Sequence, residues 1–152
     1  MNTCGVPPKP DRAVALVEVS DSPDIVVLRT ARGGRALPVM RVVISGVASR
    51  HDLSFNQLDD TQLAVETLLA EESREGRELV LTVSTSGRMF TVRLDGLQNQ
   101  SVKTALLATE TFRPCEGCLL DVRMLLDSLV DGYRVLDTTP GSFAVEMEKR
   151  TS

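Results

Sequence analysis

Tryptophan is absent, and one tyrosine and four phenylalanines leave an aromatic content of only 3%. Platforms for stacking nucleobases are therefore scarce. Cysteine occurs only as Cys4, Cys115 and Cys118, a small, odd set that excludes a disulfide framework and fits a reducing compartment. His51 is the single histidine. No apolar run approaches the roughly 18 residues that a membrane span needs, and the opening MNTCGVPPKPDRA lacks the apolar centre of a signal peptide. A cytoplasmic location is expected. Cationic residues are outnumbered, 17 Lys and Arg against 21 Asp and Glu, for a net charge of −4. Phosphate backbones and anionic lipid gain no general attraction from that balance, so neither direct nucleic-acid binding nor membrane binding is expected.

What is present suits one compact domain: 152 residues, 42% hydrophobic and 25% charged, enough to bury a core without outside help. Residues 1–23 hold Pro7, Pro8, Pro10 and Pro23 and read as a loose arm with room for one edge strand. DIVVLRT, residues 24–30, is β-branched and bounded by the RGGR turn, which predicts a strand. From Arg35 to Arg50, Leu37, Met40, Val43, Ile44 and Val47 recur at helical spacing, with Pro38 tolerated in the first turn. HDLSFNQ reads as a loop. A second helix is expected from Leu58 to about Ser73, with Asp59 and Asp60 at its start, where the helix dipole favours carboxylates.

ELVLTVST and RMFTVRL alternate apolar and polar residues around Ser86-Gly87, a hairpin signature. Residues 101–109 suit a short helix or ordered loop, and TFRPCEGC is a breaker. From Cys118 to Val130, Leu119, Val122, Leu125, Leu126 and Leu129 share one helical face. A last hairpin joins residues 133–137 to Phe143, Val145 and Met147 through TTPGS. Strand, two helices, hairpin, helix, hairpin predicts a two-layer α/β (α+β) sandwich, a mixed, largely antiparallel sheet with its helices on one face.

The run RVVISGVASRHDLSFNQLDDTQLAVETLLAE, the hairpin after it, CLLDVRMLLDSLVDGYRV and the closing GSFAVEMEK resemble the histidine-kinase-like ATPase fold of the GHKL group. Within that group the resemblance is to bacterial anti-sigma-factor serine kinases of actinobacterial type, and it covers roughly residues 24–150. It implies ATP and Mg²⁺ as cofactors. The family's second helix carries a Glu and, four residues on, an Asn: a general base and a metal ligand on one helical face. Glu66 matches the Glu, while Ala70 stands where the Asn belongs. The adenine-binding Asp-x-Gly motif has its nearest match in Asp95, with Gly96 immediately after it; strand parity sets Asp95 opposite Phe90, Val92 and Leu94 unless a bulge intervenes. In the phosphate-binding lid only Gly117 remains, beside Glu116. All three nucleotide motifs are altered, so ATP binding is expected to be weak or lost.

The resemblance implies a regulator of transcription that binds a sigma factor or a STAS-type anti-anti-sigma protein, with a homodimer as an admissible assembly. An active protein-serine kinase using Glu66 is the enzyme alternative. A thiol switch at Cys115-x-x-Cys118 is another; the same spacing is half of a zinc site that would need Cys4 or His51 as well, and two ordinary cysteines are the plainer reading. For Glu66 the plainer reading is the solvated edge of an amphipathic helix. Glu71-Glu72 reads as a solvated face, and Arg32 to Arg35 as a strand-to-helix turn in preference to a phosphate-binding nest.

Overall fold

The computed structural model describes residues 15–20, 25–108 and 120–151. Six strands and four helices follow one another as β1 (Leu16–Ser20), β2 (Ile25–Thr30), α1 (Ala36–Ala48), α2 (Phe55–Ala70), β3 (Leu79–Ser86), β4 (Met89–Leu97), α3 (Gln100–Leu107), α4 (Leu120–Leu129), β5 (Gly132–Asp137) and β6 (Phe143–Arg150). The strands form one sheet in the order β1-β2-β3-β4-β6-β5. Each of its five pairings is antiparallel. This is the expected α+β two-layer sandwich.

Period-two patterning decides which sheet face is covered. Leu28, Leu81, Val83, Phe90, Val92, Leu94 and Met147 are buried and alternate with partly exposed neighbours, and Phe143 and Val145 join them on either side of the small, also buried Ala144, so one face carries the core and the other largely meets solvent. Over the core face, α1 packs on β2 and β3, and the helices lie side by side as α1, α2, α4, α3. Met40 and Ile44 of α1, Val65 and Leu68 of α2, and Leu126 of α4 close the core from above. Each such side chain removed from water contributes about 1.5–3 kcal/mol.

Several boundaries move for local reasons. The second helix begins at Phe55, inside the stretch expected to be a loop, because Ser54 and Gln57 form a capping box: the Gln57 N–H donates to Ser54 Oγ at 3.2 Å and the Ser54 N–H to Gln57 Oε1 at 2.9 Å. Two first-turn donors are thereby satisfied reciprocally. Asp59 and Asp60 consequently sit a turn inside the helix, and Asp60 accepts from Lys149 Nζ at 3.2 Å. The helix ends at Ala70, short of Ser73. The β3–β4 turn is Gly87-Arg88, one residue later than expected, since Ser86 pairs with Met89 and Gly87 takes the positive φ of 59° the turn requires.

Further along, β4 runs on to Leu97 through a bulge between Asp95 and Leu97. The stretch expected to be a short helix or ordered loop holds helix α3, Gln100–Leu107, capped by Asn99, whose Oδ1 accepts from the N–H groups of Ser101 and Val102. In α4, Val122, Leu126 and Leu129 are buried as expected, but Leu125 is 38% exposed. Most of the N-terminal arm, Cys4, the TFRPCEGC segment with Cys115, Glu116, Gly117 and Cys118, and Leu119 lie outside the described residues.

Ser54→Ala removes one half of the capping box and is expected to lower stability by about 1 kcal/mol. Gly96→Ala should cost more than about 1 kcal/mol, because Gly96 has φ of +93° and a Cβ there meets the Glu78 carbonyl oxygen at 2.6 Å. Urea denaturation of both variants ranks them; a Gly96→Ala protein as stable as the parent contradicts the bulge geometry.

Candidate functional site

Glu66 and Ala70, four residues apart on α2, both line a cavity of about 310 Å³ between the start of α1 and the C-terminal half of α2. Gly33 and Gly34 of the β2–α1 turn, Leu37 of α1 and Arg74 after α2 complete much of its wall. The i, i+4 spacing delivers both positions to one space, as helical geometry requires. What they present there is a carboxylate and a methyl group.

The Glu66 carboxylate is already engaged: Arg41 of α1 donates from Nη2 to Glu66 Oε2 at 2.5 Å, with side-chain exposures of 47% and 42%. A half-solvated pair of this kind stabilises by at most about 1 kcal/mol. Its larger effect is geometric, since Arg41 occupies one of the two carboxylate oxygens that face the cavity side of α2. Below it, Gln62 Nε2 donates to the Arg41 carbonyl at 3.2 Å and to Ser45 Oγ at 2.8 Å, fixing the antiparallel α1–α2 pair in register.

Asp95 is not brought to this cavity. It pairs in register with Val80 and Ala144, on the sheet face away from the helices, and accepts from Arg93 Nε at 2.8 Å and Nη2 at 3.1 Å. That double hydrogen bond holds the Arg93 guanidinium above its ordinary pKa, against the opposing effect of burial. The bulge at Gly96 returns Leu97 to the core face and leaves Asp95 outside it. The Gly96 carbonyl accepts from Nη2 of Arg32, a residue that does line the cavity.

Arg32 was legible only as a turn residue, and Glu72 only as part of a solvated face. Both are buried, with side-chain exposures of 2% and 3%, and Arg32 Nη1 donates to Glu72 Oε1 at 2.9 Å. Arg32 also donates from Nε to the Arg77 carbonyl at 2.7 Å and from Nη1 to the Ser73 carbonyl at 3.2 Å. Glu72 accepts the backbone N–H groups of Gln98 at 2.7 Å and Asn99 at 2.9 Å. The one sequence signal for this is electrostatic: an acidic residue just beyond a helix C-terminus opposes the dipole and so asks for a cationic partner.

For Mg²⁺ and nucleotide, the described residues do not assemble the expected set. Ala70 offers no oxygen to a cation, Asp95 lies across the sheet, and among the described residues no group of three or more His, Cys, Asp or Glu side chains is placed to hold a metal ion. The RGGR stretch is the strand-to-helix turn, with Arg32 turned into the ion pair. Among the described residues no helix is long and apolar enough to cross a membrane.

Removing one member of a buried, hydrogen-bonded pair leaves the other charge uncompensated. Arg32→Met and Glu72→Gln are each expected to destabilise by about 3–5 kcal/mol, and the double variant Arg32→Met with Glu72→Gln by less than their sum. Chemical denaturation of the four proteins in a double-mutant cycle measures this; additive losses would mean the pair is not coupled. Compared with known proteins, the chain matches no family model and no curated relative, and the reading of its site rests on its own geometry.

Proposed function

We propose that the chain is a cytoplasmic regulator of transcription with the histidine-kinase-like ATPase fold. It acts by binding protein, either a sigma factor or a STAS-type anti-anti-sigma protein, with ATP binding weak or lost. The observation that carries this reading is the state of α2. Its Glu66 and Ala70 occupy the spacing of a base and a metal ligand on one cavity, yet the first is ion-paired to Arg41 and the second ends in a methyl group. Phosphoryl transfer depends on metal ions to neutralise developing charge, so such a helix supports binding better than catalysis.

The helical layer supports a protein partner independently. Val42 of α1 is 72% exposed, Phe55 of α2 80%, Leu107 of α3 54% and Met124 of α4 64%. Large apolar side chains left in water on neighbouring helices are the raw material of an interface, where a few of them carry most of the binding energy. The active-kinase alternative draws on one feature, the solvent access of Glu66 beside a cavity of about 310 Å³.

Titration calorimetry with ATP, with and without Mg²⁺, separates the two readings. The regulator reading expects no saturable heat in either condition. Saturable Mg-ATP binding together with phosphate transfer to a partner serine, lost in Glu66→Ala, would establish the kinase instead. On the binding side, Phe55→Asp and Met124→Asp are expected to weaken association with purified sigma factor or STAS protein by about tenfold or more at the position that lies in the interface. Unchanged affinity in both variants, or no association with either class of protein, would sink the proposal.

A further inference from the structure

The cavity between the start of α1 and the C-terminal half of α2 has an aliphatic floor. Ala36 and Leu79 are buried there, and Leu37 and Leu69 pack against the core while keeping part of their surface free. Gly33 and Gly34 line it without side chains, and a Cβ at either position meets no atom within 4 Å, so that side of the cavity is unobstructed. Pockets of this make-up, mostly apolar with a few placed polar groups, are where small molecules bind.

Four charged residues line the same space: Arg32, Glu66, Glu72 and Arg74. Arg32 and Glu72 satisfy each other and nearby backbone groups and have nothing left for a guest. The other two are available. Glu66 commits only Oε2 to Arg41, which leaves Oε1 without a partner on a side chain 42% exposed. Arg74 is exposed and has no hydrogen-bond or ion-pair partner among the described residues. One carboxylate oxygen and one guanidinium thus stand over a floor that offers only aliphatic contact.

That combination sorts ligand classes. A polyphosphate meets a single uncommitted cation and a carboxylate that repels it. A nucleobase finds no aromatic ring to stack on, since no Phe or Tyr lines the cavity. A simple carboxylic acid leaves Glu66 unused, and a simple amine leaves Arg74 unused. We infer that the cavity binds a free aliphatic α-amino acid of leucine's size. Its carboxylate lies on the planar fork of Arg74, its ammonium donates to Glu66 Oε1, and its branched side chain rests on Leu37, Leu69 and Leu79. The volume of about 310 Å³ is about twice that in which an engineered apolar cavity holds benzene, so a leucine is accommodated. This rests on the proposal that ATP binding is weak or lost, which leaves the space to another guest.

Titration calorimetry of the full chain with L-leucine tests the inference. Saturable binding with a Kd between about 10 µM and 1 mM is expected for a ligand of this size. Isocaproate lacks the ammonium, isopentylamine the carboxylate and glycine the side chain, and each should bind about tenfold more weakly or worse. Arg74→Ala and Glu66→Gln, at exposed and half-exposed positions, should each weaken leucine binding by about tenfold while keeping the parent's circular dichroism. No saturable heat with leucine, equal affinity for isocaproate or isopentylamine, or an affinity untouched by both substitutions overturns the inference. An ATP titration alongside keeps two failures apart. If neither leucine nor Mg-ATP binds, only the amino-acid site is lost; if Mg-ATP binds and leucine does not, the reading beneath it is lost as well.

Discussion

The buried pair of Arg32 and Glu72 holds together five pieces of chain that no regular element connects. Its hydrogen bonds reach the turn after β2, the end of α2, the loop before β3, the bulge in β4 and the cap of α3. Two charges withdrawn from water cost several kcal/mol each, and attraction alone does not reliably offset that. Here backbone carbonyls surround the guanidinium and backbone N–H groups complete the carboxylate, so no buried side-chain nitrogen or oxygen of the pair is left without a partner. Asn99 extends the same junction, donating from Nδ2 to the Glu71 carbonyl at 2.7 Å while its Oδ1 caps α3. Of the two ion pairs that contribute a residue to the cavity lining, that of Arg32 with Glu72 is therefore the buried joint and that of Glu66 with Arg41 the solvated one.

That contrast bears on function. Glu72 is fixed by burial and by three donors, whereas Glu66 is half exposed and tied to one arginine. The acidic residue with structural weight is the one that resembled a solvated face, and the one on the catalytic-looking helix makes an ordinary surface pair. With Asp95 bonded to Arg93 across the sheet, the carboxylates that a nucleotide site would gather are dispersed. What the helical layer does present to solvent is a set of large apolar side chains, Val42, Phe55, Leu107 and Met124.

How far the site was legible follows from the range of the interactions that make it. Glu66 and Ala70 reach the same cavity because they are four residues apart on one helix, and that could be read directly. Asp95 falling outside the core face could also be read, from its parity against Phe90, Val92 and Leu94. Ser54 and Gln57 are also legible locally, since a Ser followed three residues later by Gln is a helix-start signature, even though HDLSFNQ as a whole has the polarity of a loop. Nothing within a few residues of Arg32 or Glu72 points to the other, because the two are 40 positions apart.

The sequence by itself determined the period of each element, which face of each strand is apolar, and thereby the two-layer sandwich, because backbone periodicity ties each side chain's direction to its near neighbours. Tertiary structure alone decided which charges are buried together and which carboxylates share a cavity. Those outcomes depend on where distant segments arrive when the sheet closes, and no local pattern records the arrival of a partner from the far end of the fold.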